Sequence, residues 1–279
     1  MYLWQRLASQ KWRSDNENEL RAIAGNRVAI IEEAGRKKLR FEVAARFRTE
    51  LQNLTKQFGG RVEKLPRDWL TRFSRKQKTK PLKIGKRLIV VRSPKDQSLI
   101  KRLIIPAGAA FGTGEHATTA MSLRLLERLT RNWKPGWSIV DLGTGTGILA
   151  LAAKCFGANP VIGIDNDPVA IAAAKGNARL NKIPAVQFRV GDVYDLKFPR
   201  GNRPNYRGYR GQVDIVTANL FSELLVEIVP KLKATRWMIL SGILRSQERD
   251  VSRALRRHKI DVSQVRRHGK WVAILTAVR

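Results

Sequence analysis

An aspartate followed by glycines at alternate positions, Asp141-Leu142-Gly143-Thr144-Gly145-Thr146-Gly147, is the stretch of this 279-residue chain best suited to chemistry. Ser138-Ile139-Val140 before it is apolar and reads as a strand, and a helical pattern begins at Ile148. Alternate glycines let the backbone turn sharply and let a ligand approach the main chain. The helix N-terminus behind the loop presents unpaired N–H groups and a positive dipole end, a fitting seat for a carboxylate. The next strand-like run ends in Val161-Ile162-Gly163-Ile164-Asp165, so a carboxylate follows Gly143 by 22 residues. A doubly wound sheet holds an acid against ribose hydroxyls at that position. Asp167-Pro168 reads instead as a helix cap with proline at N1, a structural pair.

The loop reads G-x-G-x-G, not the G-x-G-x-x-G of dinucleotide sites. The spacing leans towards S-adenosylmethionine with Gly143, Gly145 and Asp165 as cofactor-binding residues, although spacing alone does not settle the choice. Further on, the apolar run 213–218 ends in Asn219-Leu220-Phe221. An amide at a strand's carboxyl end faces the ligand crevice. Its carbonyl can accept a hydrogen bond from a substrate amine and aim the nitrogen lone pair, which makes Asn219 the expected catalytic residue, with a plain turn residue as the other reading. Asp192 has two readings, a place near the adenine or a turn cap. His116 is the obvious side chain for a general base, but its glycine-rich setting suits a hydrogen-bonding structural role equally, and no base is assigned. The single cysteine, Cys155, excludes an intrachain disulfide and a zinc site of several thiolates, so no metal is expected. Lying in an apolar run, Cys155 reads as a packing residue.

From Ser138 onward, strand-like runs at 138–142, 160–164, 186–190, 213–218 and 237–241 alternate with helical patterns. That alternation calls for a doubly wound, mostly parallel, Rossmann-like α/β sheet. Two strand-like runs within 258–278, without a helix between them, predict a closing antiparallel hairpin. Ahead of this domain, 1–66 reads as a small ferredoxin-like α+β domain in the order β-α-β-β-α-β. Its first helix is expected to be capped by a box of Ser14 and Glu17, its second to begin near Thr49 and Gln52, with a hairpin turn at Ala34-Gly35-Arg36. Leu39, Phe41, Val43 and Ala45 alternate as one face of a strand. A basic linker (72–86) carrying Pro81 and Gly85, then lead-in strands at 88–91 and 101–105, fill 67–105, and 106–279 is the cofactor-binding domain.

Hydrophobic residues make up 43%, enough for a sizeable core. No apolar run reaches the roughly 18 residues of a membrane span, and the N-terminus lacks a secretory signal. A soluble cytoplasmic protein with no membrane partner is expected. The 54 Lys and Arg against 23 Asp and Glu give +31. Such a charge points to RNA or a ribonucleoprotein, or to a source whose proteins are basic throughout. Segment 199–211, with Arg and Tyr interleaved, suits either RNA stacking or a disordered insertion.

Several motifs together resemble the bacterial ribosomal protein L-eleven methyltransferases. They are Ala110-Phe111-Gly112-Thr113-Gly114-Glu115-His116-Ala117-Thr118-Thr119, the glycine loop, Gly163-Ile164-Asp165-Asn166-Asp167-Pro168, Ala218-Asn219-Leu220-Phe221, Ser241-Gly242-Ile243-Leu244 and Gly269-Lys270-Trp271-Val272. The resemblance implies contacts to S-adenosylmethionine at Thr119, Gly143, Asp165 and Asn219, with loop 111–114 closing over the site. It also implies N-methylation of lysine and α-amino groups of a ribosomal protein, captured by the N-terminal domain. That domain is more basic than the family pattern and lacks a shared motif, and 199–211 is longer than usual. An RNA methyltransferase, and a ribosome-associated RNA-binding protein without turnover, are the competing readings.

Overall fold

The computed structural model describes residues 2–31, 38–45, 47–65, 81–93, 100–106, 116–195 and 213–278. The chain divides into two compact units, Met1–Phe73 and Ser74–Arg279.

In the first unit, β1 (Tyr2–Ala8), α1 (Gln10–Ala24), β2 (Val28–Ile31), β3 (Leu39–Ala45), α2 (Gln52–Phe58) and β4 (Arg61–Lys64) build an antiparallel sheet of order β2-β3-β1-β4. Leu39, Phe41, Val43 and Ala45 all point inward, and their neighbours are half-buried. Trp12 packs edge-on against Phe41 and Phe58, with ring centroids 4.8 and 6.0 Å away. That packing explains why α1 starts earlier than its sequence suggests. Ser9, not Ser14, is the N-cap, its hydroxyl accepting from the Trp12 N–H. Ser14 sits inside the helix and bonds back to the Gln10 carbonyl, while Glu17 pairs with Arg13 and Arg21. Thr49 falls in a 3-10 turn (Arg48–Leu51), where Glu50 accepts from the Phe47 N–H. The turn at 34–36 lies outside the described residues.

The second unit opens with a three-stranded sheet, β5 (Leu82–Ile84), β6 (Leu88–Val91) and β7 (Arg102–Ile104). The charge pattern places Leu82–Ile84 in the basic linker. It is a strand because Ile84 is fully buried and Gly85, at φ +55°, turns the chain back into β6. Next come α3 (Ala117–Thr130), β8 (Ile139–Leu142), α4 (Ile148–Cys155), β9 (Val161–Asp165), α5 (Pro168–Leu180) and β10 (Val186–Val190). The chain continues through β11 (Val213–Asn219), α6 (Ser222–Ile228), β12 (Thr235–Leu244), α7 (Glu248–Arg257), β13 (Ile260–His268) and β14 (Trp271–Val278).

The main sheet has the order β10-β9-β8-β11-β12-β14-β13. Its first five strands are parallel, and β14 and β13 close it as an antiparallel hairpin. Period-2 alternation splits the strand residues between two cores. Ile139, Ile215 and Ile239 pack beneath α3, α4 and α5, whereas Val140, Val216 and Leu240 pack beneath α6 and α7. Strand order reverses between β8 and β11, so a crevice opens at their carboxyl ends. No helix among the described residues is long and apolar enough to cross a membrane.

Candidate functional site

The glycine loop leaves β8 at the switch point. Gly143, Gly145 and Gly147 all have positive φ, at 64°, 55° and 79°, a region that side chains other than glycine's rarely tolerate. A Cβ on Gly143 would also meet Leu220 Cδ2 at 2.4 Å. The loop is tied by Thr144 N–H to the Ile164 carbonyl (2.9 Å) and Gly147 N–H to the Thr144 carbonyl (2.8 Å). These bonds hold a backbone cradle against the ends of β8 and β9.

Asp165 ends β9 beside this cradle. Its Oδ2 accepts from Gly145 N–H at 2.9 Å and its Oδ1 from Asp167 N–H at 3.0 Å. A carboxylate oxygen has two lone pairs, so each still has capacity for a hydroxyl donor. Gly145 and Asp165 are therefore joined directly, and the half-buried carboxylate can face a diol. Asp167 caps α5 by accepting from Val169 N–H at 2.8 Å.

Asn219 closes the other side. Its Nδ2 donates to Thr119 Oγ1 on α3 at 3.3 Å, which leaves Oδ1 with no donor among the described residues. Thr119 is buried. The backbone after Asn219 is fixed by Leu220 N–H bonding to the Ser241 carbonyl at 3.0 Å. A register shift between Ser241 and Ile243 makes Gly242 a bulge at φ +87°. A Cβ there would lie 2.2 Å from the Leu220 carbonyl oxygen. Phe221, 77% exposed, stands beside Asn219.

Asp192 takes the turn-cap role, its Oδ1 accepting from Tyr194 N–H at 2.8 Å. His116 precedes α3, its Nδ1 2.7 Å from Thr118 Oγ1 and its ring edge-on to Trp271 at 4.8 Å. Burial, then the positive charge of Lys270, holds its pKa below the usual histidine value. Cys155 is half-buried against the core, and burial pushes its thiol up. Loops 111–114 and 199–211 lie outside the described residues.

Two features escaped sequence reasoning. Asp141 is fully buried and accepts from Thr144 Oγ1 and Thr217 Oγ1, both at 2.6 Å. Burial pushes its pKa up to about 6 against the opposing bonds of Thr144, Thr217 and the Ala150 backbone. The signal was present in the sequence as a carboxylate inside an apolar strand, but its partner Thr217 is 76 residues away. Asn177 Nδ2 donates to the Thr146 carbonyl at 2.9 Å, and Asn181 bonds both the N–H and the carbonyl of Ile104, at 2.6 and 2.7 Å. These two amides link the glycine loop to β7 along one side of α5. Their i, i+4 spacing was the available signal.

Comparison with known proteins agrees with this geometry. The sequence profile of the ribosomal protein L11 methyltransferase family matches residues 9–279. A ribosomal protein L11 methyltransferase from Heliobacterium modesticaldum is 33% identical over 206 residues, covering 70% of this chain and 60% of that protein. One from Symbiobacterium thermophilum is 36% identical over 205 residues, covering 70% and 62%. The chain thus spans about three-fifths of the length of these relatives. The crystal structure of ribosomal protein L11 methylase from Lactobacillus delbrueckii subsp. bulgaricus superposes with a TM-score of 0.60 at 26% identity, covering 71% of this chain and 98% of that one. With a profile matched across nearly its whole length and the seven-stranded sheet that carries the glycine loop, this chain belongs to the ribosomal protein L11 methyltransferase family.

Proposed function

We propose that this chain is an S-adenosylmethionine-dependent N-methyltransferase acting on lysine and α-amino groups of ribosomal protein L11. The observation that carries this reading is the pairing of two walls across one crevice. On one side stand the positive-φ glycines with Asp165, and on the other Asn219 anchored to Thr119. The cradle fits the cofactor: Gly143 and Gly145 present main chain, the α4 N-terminus lies behind the loop, and Asp165 retains acceptor capacity for the ribose.

When bound, S-adenosylmethionine supplies a methyl group already activated on a sulfonium. What remains for the chain is placement of the acceptor. Asn219 Oδ1 accepts an N–H of the incoming amine, and the Thr119 bond holds the side chain against α3. A lysine ammonium must first lose a proton, which costs about 5 kcal/mol at pH 7 from its reference pKa. Desolvation and a neighbouring positive charge both lower that cost, so no dedicated base is required. His116, its pKa lowered by burial and its ring engaged by Thr118, is a positioning group for the start of α3.

The N-terminal unit serves to recognise the protein substrate, a role supported by its separate compact core. The net charge of +31 supports additional contact with RNA or a ribonucleoprotein, and the single cysteine suits the reducing cytoplasm. Incubation with radiolabelled S-adenosylmethionine and either ribosomal protein or ribosomal RNA tests the reading. Label on the protein is expected. Label confined to RNA overturns it.

A further inference from the structure

Away from the crevice, a groove of about 460 Å³ runs between the outer side of α3 and the edge strand β13. It is lined by Arg128, Leu129, Trp237, Ser263, Gln264 and Leu275. Its volume lies within the roughly 300–1,000 Å³ of small-molecule sites, room enough for a nucleotide. Register explains its composition. Gln264 pairs with Leu275, which pairs with Ile239 of β12, so all three share the α3 side of the sheet. By alternation Arg266 and His268 lie on that side too. Val265 and Arg267 point the other way, Val265 into the core under α6 and α7 and Arg267 to Glu248 of α7. The bulge between Val262 and Gln264 leaves Ser263 out of the ladder, at the groove's rim.

The opposite rim is α3, where Arg124 lies one turn before Arg128 and both are exposed. Gln264 to His268 extends about 13 Å along β13. His268 is paired with Trp271, whose ring meets His116 at the start of α3. The row therefore leads from the groove to the end of the sheet where Asn219 meets Thr119 of α3. Arg266 Nε is buried without an acceptor among the described residues. Asp261 pairs with Ala277, which pairs with Trp237, so one carboxylate lies two strands from the indole, and Glu127 of α3 is buried and paired with Arg131.

We propose that this groove binds single-stranded RNA, with a base against Trp237 and the phosphates along Arg124, Arg128 and Arg266. Trp237 lines the groove half-buried beside Leu129 and Leu275 and offers an aromatic surface for a base, and guanidinium groups on both rims suit phosphate. An acidic peptide would use the rims but gain little from the floor. The proposal deepens the RNA-contact reading above and is independent of which substrate is methylated.

The test is fluorescence anisotropy with a labelled single-stranded RNA of about 12 nucleotides, titrated with the full chain at about 50 to 200 mM salt. The double variant R128A/R266A should weaken binding about tenfold and lower the salt slope by about 1.4. Trp237→Leu, which keeps the apolar floor, should weaken binding about tenfold with the slope unchanged, since stacking is lost and charge is not. R249A/R256A on exposed α7 controls for net charge and should change affinity less than about twofold. Thermal melts of each variant separate loss of fold from loss of binding. Equal weakening by both double variants overturns the groove and leaves diffuse RNA contact standing. No RNA binding by the unaltered chain overturns both. Displacement of RNA from the groove by polyglutamate at matched charge, with Trp237→Leu without effect, assigns the groove to acidic polypeptides and overturns the RNA assignment.

Discussion

Asn219 Nδ2 bonds Thr119 Oγ1 at 3.3 Å, joining the end of β11 to the first turn of a helix 100 positions earlier in the chain. In this arrangement the amide nitrogen is turned to the helix and the oxygen to the crevice. With the nitrogen held by threonine, the carbonyl is the group left to meet a donor, which is what an amine acceptor requires.

Replacing Asn219 by Ala should lower kcat about 100-fold while shifting Tm little, because positioning is lost from a half-buried surface and not from the core. Thr119→Val should give a smaller fall, about tenfold, by freeing the amide to rotate. Steady-state kinetics beside thermal melts check both. A variant N219A that keeps its kcat removes Asn219 from the reaction.

Asp165 joins the cradle to β9 through Gly145. On the proposed site, Asp165→Ala should raise the Kd for S-adenosylmethionine more than tenfold, since the acceptors offered to the ribose and the loop's tether go together. Isothermal titration measures it. Asp165→Asn should lie between the two, and unchanged affinity in both would place the ribose elsewhere.

Asp141 gives a pH signature. Its folded pKa, pushed up to about 6 by burial, exceeds its unfolded value near 3.8, so the folded chain holds the proton more tightly. Its contribution to stability is complete below about pH 4, falls as pH rises towards 6, and is constant above that. The linked loss is of the order of 3 kcal/mol. Asp141→Asn, which keeps the shape and can bond Thr144 and Thr217, removes this dependence. The Tm of D141N minus that of the unaltered chain should increase from pH 4 to 6 and then level. A difference independent of pH would show that the carboxyl does not titrate there.

Gly242→Ala should destabilise by about 3 kcal/mol or more, because a Cβ 2.2 Å from the Leu220 carbonyl oxygen presses on backbone at positive φ. Gly269→Ala is the matched control: φ is +55° but no atom lies within 4 Å of the added Cβ, so only the conformational cost applies. Denaturant melts should rank G242A well below G269A. Equal losses would show that conformation alone, and not the approach of Leu220, matters at Gly242.

His116 should titrate below 6.5, since burial first and Lys270 second disfavour the imidazolium. Nuclear magnetic resonance titration of its ring protons should give that midpoint, and Lys270→Glu should raise it. A midpoint unmoved by K270E would assign the depression to burial alone.

The sequence by itself determined the alternation of strands and helices from Ser138 onward, the glycine loop, the place of Asp165 and the end of β11, because these are local patterns. Period-2 apolar runs form strands, alternate glycines form a cradle at a strand's end, and Asp167-Pro168 caps a helix within its own turn. It misplaced the start of α1 because Ser9 and Ser14 are both plausible caps, and only the packing of Trp12 on Phe41 and Phe58 chooses between them. It took Leu82–Ile84 for linker because two lysines and a glycine around one isoleucine look solvated until Ile84 is buried. Tertiary structure alone decided that Asn219 meets Thr119, that Asp141 is held by Thr217, and that Arg128 faces Gln264 across a groove. These pairs are separated by 76 positions or more, so neither periodicity nor a local motif records them. They are fixed by the order and register of β8, β11, β12, β14 and β13, which depend on how the buried faces of all the strands pack together.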